Sequence, residues 1–198
     1  MFRILFGIVL GVVLVPIAAL VYLKFGAAPV AVTDSPFPYE TQITNVPLSA
    51  RIDRELVPVP PIQPDEANLV AGAHIYMDKC AVCHGTHGKP SDLGENMLPG
   101  APPLWEKHHG GDVVGVSDDP PGETYWKVFN GIRMTGMPDF KTQLNNTQIW
   151  QVTLLLANAN KPLPPAALQS LSGAPAAAAL LVPGLKSNAP ANPPTAGK

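Results

Sequence analysis

The most extended pattern in the chain is an uninterrupted apolar run near its N-terminus. After Arg3, residues 4–23 carry no charge, and Lys24 closes the run. About twenty apolar residues are enough for a helix to cross a hydrocarbon core of roughly 30 Å. A cleaved signal peptide is the alternative, but its apolar region is usually shorter, about 7–15 residues. The pattern therefore predicts a retained transmembrane signal-anchor helix over residues 1–25.

Residues 26–64 lack a sustained hydrophobic period and are rich in proline. Pro36-Phe37-Pro38 and Pro58-Val59-Pro60-Pro61 disfavour regular helix and favour stiff polyproline stretches. The segment from Ser49 to Leu56 has helical character and is expected to form a turn or two, either as solvated linker or as a docking patch for a partner. We therefore expect residues 26–64 to be a linker that joins the membrane segment to a soluble domain.

Helical periodicity marks residues 65–161 as a folded, all-α domain. Asp65-Glu66 put negative charge at the start of the first helix, where the helix dipole favours it. A middle helix is predicted over about 122–131 and a last helix over about 147–158. The apolar positions of the first helix recur at helical spacing and lead into Cys80; they are Leu69, Ala73, Tyr76 and Met77.

Residues 162–198 differ in composition from the rest of the chain. They are dominated by proline, alanine, serine and glycine and carry scarcely a charge. A segment of this kind cannot bury enough apolar surface to offset the entropy lost on folding. We therefore predict a disordered tail, within which residues 176–182 could form a short helix.

Chain length and net charge limit the classes of function. A chain of 198 residues is long enough for one domain with flanking segments. Its formal net charge of −2 gives no electrostatic reason to expect binding to nucleic acid or to an anionic membrane surface. The candidate chemistry therefore has to come from particular motifs.

Both cysteines of the chain lie in Cys80-Ala81-Val82-Cys83-His84, the Cys-x-x-Cys-His pattern of covalent c-type haem attachment. Each thiol can bond one vinyl group of a single haem, and His84 can bind the iron as the proximal ligand. A thioredoxin-like pair would need a βαβ pattern, a structural zinc site would need four ligands, and a disulfide across so short a loop would stabilise little. The motif therefore predicts one covalent haem c held by Cys80, Cys83 and His84.

Met137 is the first candidate for the iron ligand opposite His84. Gly136 gives the backbone freedom, and Pro138 biases Met137 towards an extended shape that can point a thioether at a metal. Met134 is the fallback, and a histidine or an open site are the remaining alternatives. The pair His108-His109 could supply a histidine ligand but is better interpreted as part of a solvated loop.

Two further side chains are candidates for the haem environment. Trp105, in the extended stretch Pro102-Pro103-Leu104-Trp105, either contacts a haem propionate or has a packing role. Arg133, beside the methionine loop, either pairs with a propionate or forms a surface salt bridge.

Gly72-x-x-x-Tyr76-x-x-x-Cys80-x-x-Cys83-His84-Gly85, followed by Gly136-Met137-Pro138-x-Phe140, resembles the class I cytochrome c family, and most of all its single-haem, membrane-anchored bacterial members. The resemblance spans about residues 65–161. It implies a cytochrome c fold of about four to five helices around one haem c. It also implies that the first and last helices cross near the haem, with Tyr76 and Trp150 at the crossing. The long segment 85–119, rich in glycine and proline, departs from the family pattern.

The resemblance and the ligands together imply electron transfer. A haem with both axial positions filled by protein has no vacant site for a small-molecule substrate, so we expect a one-electron carrier and not an enzyme. We expect it in the bacterial cytoplasmic membrane as a single-pass protein with its haem domain on the periplasmic side. The expected partners are a quinol-oxidising complex or dehydrogenase as donor and a terminal oxidase as acceptor. The alternatives are a permanent subunit of a larger membrane oxidoreductase and a haem-based gas sensor or enzyme.

Overall fold

The computed structural model describes residues 2–107 and 111–173 of the 198-residue chain. By its internal contacts the chain divides into two compact units, Met1–Pro47 and Leu48–Lys198. The predicted histidine pair His108-His109, the predicted short helix over 176–182 and most of the predicted tail lie outside the described residues. Within the described ranges the secondary structure is helical, with isolated bridges and no strand.

The first unit contains the N-terminal apolar helix α1, Phe2–Phe25. By length and composition α1 is able to cross a membrane, and none of its side chains is buried within the protein. A second helix, α2, spans Glu40–Glu55 and continues through Pro47 into the second unit. A continuous helix of 16 residues replaces the turn or two predicted within the linker.

The second unit holds the remaining helices and the core. In chain order these are α3 (Glu66–Ile75), a π-helical turn (Tyr76–Cys80), α4 (Ala81–His84), α5 (Asp92–Glu95), α6 (Pro121–Asn130), α7 (Asn146–Ala157) and α8 (Pro165–Leu171). Helix α3 packs against α7 and α8, and α6 packs against α7. The largest fully buried side chains are Tyr76, Ile149, Leu155, Leu171, Val152 and Thr153.

Local capping explains where α3 and α7 begin. The Asp65 side chain accepts a hydrogen bond from the Asn68 backbone N–H, which satisfies one of the free donors of the first turn of α3. At α7, Asn145 and Gln148 form a reciprocal capping box. The middle and last helices predicted from periodicity are present within one residue of their expected ends, whereas the first ends at Ile75 and the chain reaches Cys80 as a π-helical turn.

Gly72 sets the close crossing of α3 and α7. A Cβ at Gly72 would overlap the backbone carbonyl of Gln151, so a larger residue would force the helices apart. Next to this contact the Gln151 side-chain amide donates to the Asn68 side-chain oxygen at 3.0 Å. The crossing of the first and last predicted helices is thereby fixed by backbone contact.

The prediction of a disordered tail from residue 162 is wrong for its first part. Residues Pro165–Leu171 form α8, whose Ala167 and Leu171 are buried against the core. The order arises because these two apolar side chains lie four residues apart and share one helix face. The folded domain therefore extends at least ten residues beyond its predicted end at Lys161.

The predicted linker boundary at residue 64 is also wrong, because the second unit begins at Leu48. Ile52 on α2 is buried, and the Glu55 carboxylate accepts a hydrogen bond of 2.8 Å from the Trp126 indole on α6. A Cβ at Gly122 would overlap the carbonyl of Val57, so the chain after α2 runs directly along α6. These contacts make the end of α2 a part of the helical domain.

Candidate haem site

The two cysteines lie on one short helical segment. Cys80 ends the π-helical turn, and Cys83 lies on α4 three residues later, so both thiols are on the same side of the helix. Both are free and half-buried, and Cys80 packs against the core. Burial raises the pKa of the Cys80 thiol to about 12, which keeps it protonated at neutral pH. Rare π-helical turns of this kind are frequent at functional sites.

His84 is held in the tautomer that a metal ligand needs. Its Nδ1 lies 2.8 Å from the backbone carbonyl oxygen of Pro102, which can only accept a hydrogen bond. The proton is therefore on Nδ1, and the lone pair of Nε2 is free to bind a metal. Burial lowers the pKa of His84 against a smaller opposite effect of the Pro102 carbonyl, so the ring is neutral at pH 7.

Tyr76 fixes the far end of α4. It is fully buried, and its hydroxyl donates a hydrogen bond of 2.7 Å to the carbonyl of Gly85. Gly85 has a φ of +77°, a conformation that glycine adopts without strain, and it ends the helix directly after His84. Burial raises the pKa of Tyr76, so its hydroxyl remains a donor. The first residue of the π-helical turn therefore holds the chain directly after His84.

Trp105 carries a buried donor without an acceptor. Its ring packs edge-on against Tyr76 with centroids 5.5 Å apart, and it is only 6% exposed. Its Nε1–H lies near enough to the Tyr76 hydroxyl to lower the pKa of that group, but the geometry between the two falls short of a hydrogen bond and no other described residue accepts from it. A buried N–H that lacks an acceptor is costly and uncommon in native proteins. A haem carries two propionate groups, and a propionate oxygen would accept the hydrogen bond from the Trp105 N–H. A haem therefore fits this environment.

The two candidate methionines, Met134 and Met137, lie on one loop but differ in burial. The Met137 backbone N–H donates to the Thr135 hydroxyl at 3.1 Å, and its carbonyl accepts from the Ile132 N–H at 3.2 Å. The Met137 side chain is half-buried and packs against the core. Met134 is 82% exposed and has a φ of +63°. Met137 therefore packs towards the core, whereas Met134 faces solvent.

Arg133 and Trp150 complete the predicted set. Arg133 is exposed and forms no ion pair within the described part of the chain, so the surface salt bridge is not seen. Trp150 is buried and stacks on Tyr125 of α6, with ring centroids 4.2 Å apart. Tyr76 packs instead against Trp105. Trp150 therefore joins α7 to α6.

The sequence pattern gave no prediction for the loop over residues 91–101, which lies directly on the Cys-x-x-Cys-His motif. The Ser91 hydroxyl donates to the Val82 carbonyl at 2.6 Å, and a Cβ at Gly94 would overlap the carbonyl of Cys83. In the same loop, the Met97 side chain covers Gly136. The signal in the sequence was the glycine content of this segment, since only glycine allows backbones to approach so closely.

The site chemistry favours haem over the alternatives considered for the motif. Within residues 2–107 and 111–173, no group of three or more histidine, cysteine or acidic side chains could hold a metal ion, so a protein-only zinc site is not supported. Two thiols and a neutral imidazole are the groups that a covalent haem requires, and a half-buried thioether and a buried N–H donor are compatible with it. These features define the helical domain as a c-type cytochrome domain.

The comparison with known protein families agrees. Residues 67–155 match the model of the family described as cytochrome c oxidase, cbb3-type, subunit III. The chain therefore carries a c-type cytochrome domain, consistent with the class I c-type cytochromes. A domain of this kind carries haem c and functions in electron transfer. The chain matches no curated protein and no solved structure.

Proposed function

We propose that this protein is a one-electron carrier with a single haem c, bound covalently by Cys80 and Cys83 and ligated by His84 and Met137. The observation that carries the proposal is the hydrogen bond from His84 Nδ1 to Pro102, which presents Nε2 as a ligand. When bound, the haem supplies an iron that gains and loses one electron. Each thiol would add across a vinyl group, its sulfur forming the new C–S bond and its proton going to the neighbouring carbon.

The protein side of the site would tune that electron transfer. A thioether opposite an imidazole raises the reduction potential, and an apolar surrounding raises it further because the oxidised iron carries more positive charge. Trp105 would donate its indole N–H to one propionate. Arg133, which is exposed and close in sequence to Met137, would pair with a propionate as well. With both axial positions filled, the site would bind no substrate.

We further propose that α1 is retained as a transmembrane anchor and that the cytochrome domain functions on the periplasmic side of a bacterial cytoplasmic membrane. The length and apolar composition of α1 support the anchor. Covalent haem attachment requires export of the domain, which α1 would supply. Electron donors would be a quinol-oxidising complex or a dehydrogenase, and the acceptor would be a terminal oxidase.

A second function, a permanent subunit of a membrane oxidase, is favoured by the description of the matched family. The two functions share the site and differ in the lifetime of the partner complex. Purification in mild detergent distinguishes them. A carrier would elute as a holoprotein of one chain, whereas a subunit would elute with stoichiometric partner chains.

The first test of the site is the absorption spectrum of the dithionite-reduced holoprotein before and after carbon monoxide. The spectrum is expected not to change on mixing and to change only slowly afterwards, because Met137 would have to leave the iron before carbon monoxide could bind. Met137→Ala is expected to bind carbon monoxide at once, whereas Met134→Ala is expected to behave as the unaltered protein. Rapid binding by the unaltered protein would instead favour a gas sensor or a haem enzyme. Haem that stays on the chain after denaturation would show covalent attachment.

A further inference from the structure

Met97 makes an isolated contact on the methionine loop. Its Cε occupies the space that a Cβ at Gly136 would need, and its Sδ lies 3.6 Å from the same position. Apart from the chain neighbours of Gly136, only Met97 atoms lie within 4 Å of this position among the described residues. Gly136 directly precedes Met137. A methionine side chain therefore rests on the backbone next to the proposed sixth ligand.

The other side of Met97 is attached to the haem-binding motif. Its backbone N–H donates to the Gly94 carbonyl at 3.4 Å, and the same carbonyl accepts from the Ala101 N–H at 3.0 Å. Gly94 packs against the carbonyl of Cys83, and its own N–H donates to the Ser91 hydroxyl at 3.1 Å. A continuous series of contacts thus leads from the second attachment cysteine, through the 91–101 loop, to Gly136.

The methionine loop needs support at this point. Its inner hydrogen bonds hold the Met137 backbone to Ile132 and Thr135. Gly136 itself is exposed and has no side chain to restrict its backbone. Movement at Gly136 would change the direction of the Met137 side chain. The contact with Met97 opposes that movement.

We propose that Met97 is a positioning residue for the sixth ligand: its side chain packs on Gly136 and holds the Met137 sulfur towards the haem iron. This inference rests on the proposed function, in which Met137 is that ligand. An unbranched thioether side chain suits the role because it adapts to an irregular surface while filling it. The role belongs to the 85–119 segment, in which the chain departs from the class I pattern.

The test uses the full-length holoprotein in detergent and two spectroscopic measurements. One is the rate of carbon monoxide binding to the reduced form, which is limited by dissociation of the methionine. The other is the near-infrared charge-transfer band of sulfur bound to oxidised iron. Met97→Ala is expected to bind carbon monoxide about tenfold faster or more, since a large-to-small change removes most of the contact. Met97→Leu is expected to restore most of the slow rate.

Leu98→Ala is the matched control, because Leu98 is the next residue and is 54% exposed. It is expected to leave both measurements unchanged. If Met97→Ala binds carbon monoxide no faster than Leu98→Ala, the positioning role is excluded. A lower thermal midpoint for Met97→Ala with an unchanged rate would show packing alone and would also exclude it.

A double-mutant cycle tests the contact itself. Gly136→Ala alone would place a methyl group against Met97 Cε and is expected to speed carbon monoxide binding. In Gly136→Ala combined with Met97→Ala, the new methyl group takes part of the vacated space. The double variant is therefore expected to bind carbon monoxide more slowly than the combined effects of the two single substitutions predict. Effects of substitutions at contacting residues are generally not additive. Strict additivity would contradict direct contact.

The same variants separate failure of this inference from failure of the proposed function. If the unaltered protein and Met137→Ala both bind carbon monoxide at once, Met137 is not the ligand and both proposals fall. If Met137→Ala keeps the sulfur band and Met97→Ala loses it, Met97 is itself the ligand, which also overturns both. If Met137→Ala binds carbon monoxide at once and Met97→Ala binds it as slowly as the unaltered protein, the proposed function stands and the inference fails.

Discussion

The indole N–H of Trp126 donates a hydrogen bond to the Glu55 carboxylate at 2.8 Å, across 71 residues of sequence. The contact joins the end of α2 to α6, next to the close approach of Gly122 to the Val57 carbonyl. Arg51 also contacts the Glu55 carboxylate, from one helical turn earlier. The end of α2 and the residues that follow it therefore pack against α6, before α3 begins in the sequence.

This contact predicts a pH-dependent contribution to stability. The Trp126 hydrogen bond lowers the pKa of Glu55 below its usual value, so the charged form is favoured in the folded protein. A lowered carboxyl pKa stabilises the fold above the unfolded pKa and loses that contribution as the pH falls through the folded pKa. Glu55→Gln is therefore expected to unfold more easily at pH 7 and to approach the stability of the unaltered protein as the pH falls below the lowered pKa of Glu55.

Trp126→Phe tests the same hydrogen bond from the other side. It keeps an aromatic ring on α6 but removes the donor, so Glu55→Gln should cost less stability in its presence than alone. Guanidinium unfolding of the full-length holoprotein at several pH values measures both effects. An equal cost of Glu55→Gln in both backgrounds, or a cost independent of pH, would contradict the predicted role of this bond.

Helix α8 predicts a sharp difference between its two leucines. Leu171 is 1% exposed and packs in the core, whereas Leu168 is 40% exposed on the same helix. Leu171→Ala is expected to lower the free energy of unfolding by about 2–5 kcal/mol, because it opens a cavity in the core. Leu168→Ala should cost well under 1 kcal/mol, as is usual for exposed positions. Equal effects in guanidinium unfolding would show that α8 does not contribute to the core.

The sequence predicted what depends on local signals and missed what depends on distant partners. The start of α3 follows from Asp65, whose capping role can be read from neighbouring residues. The burial of Ile52 and Leu171 could not be read in this way, because each lies in a polar or proline-rich segment and packs against helices far away in the chain. The attachment motif was predictable since its chemistry is contained in five consecutive residues.

In the candidate site, too, the features set by residues distant in sequence could not be predicted. The motif predicts His84 as a ligand, but the carbonyl that fixes its tautomer belongs to Pro102, 18 residues later. The neighbouring Gly136 and Pro138 favoured Met137 over Met134 as a candidate, but the sequence alone did not show that Met134 is exposed and that Met137 is half-buried. The contact between Met97 and Gly136 had no local signal, because it joins two loops that are separate in sequence.

A substitution at Gly72 tests how closely α3 and α7 have to pack. Gly72→Ala adds a methyl group that overlaps the Gln151 carbonyl, and neither backbone can move without opening the core. It is expected to cost about 1–3 kcal/mol, although alanine is the better helix former. Gly111→Ala is the control, because a Cβ there meets nothing within 4 Å. Thermal unfolding of both holoproteins measures the difference; a stabilised Gly72→Ala would contradict the close crossing.

The effect of Trp105→Phe on the free energy of unfolding tests whether a haem propionate accepts the Trp105 hydrogen bond. Trp105→Phe keeps a buried aromatic ring and removes only the N–H that finds no acceptor among the described residues. If a propionate accepts this bond in the holoprotein, the variant leaves a buried carboxylate short of a donor, and the free energy of unfolding falls by about 1–3 kcal/mol. The reduction potential should fall as well, since a less neutralised carboxylate favours the oxidised iron. If the N–H has no partner in the holoprotein, removing it relieves a cost, so an unchanged or more stable variant would exclude the propionate contact.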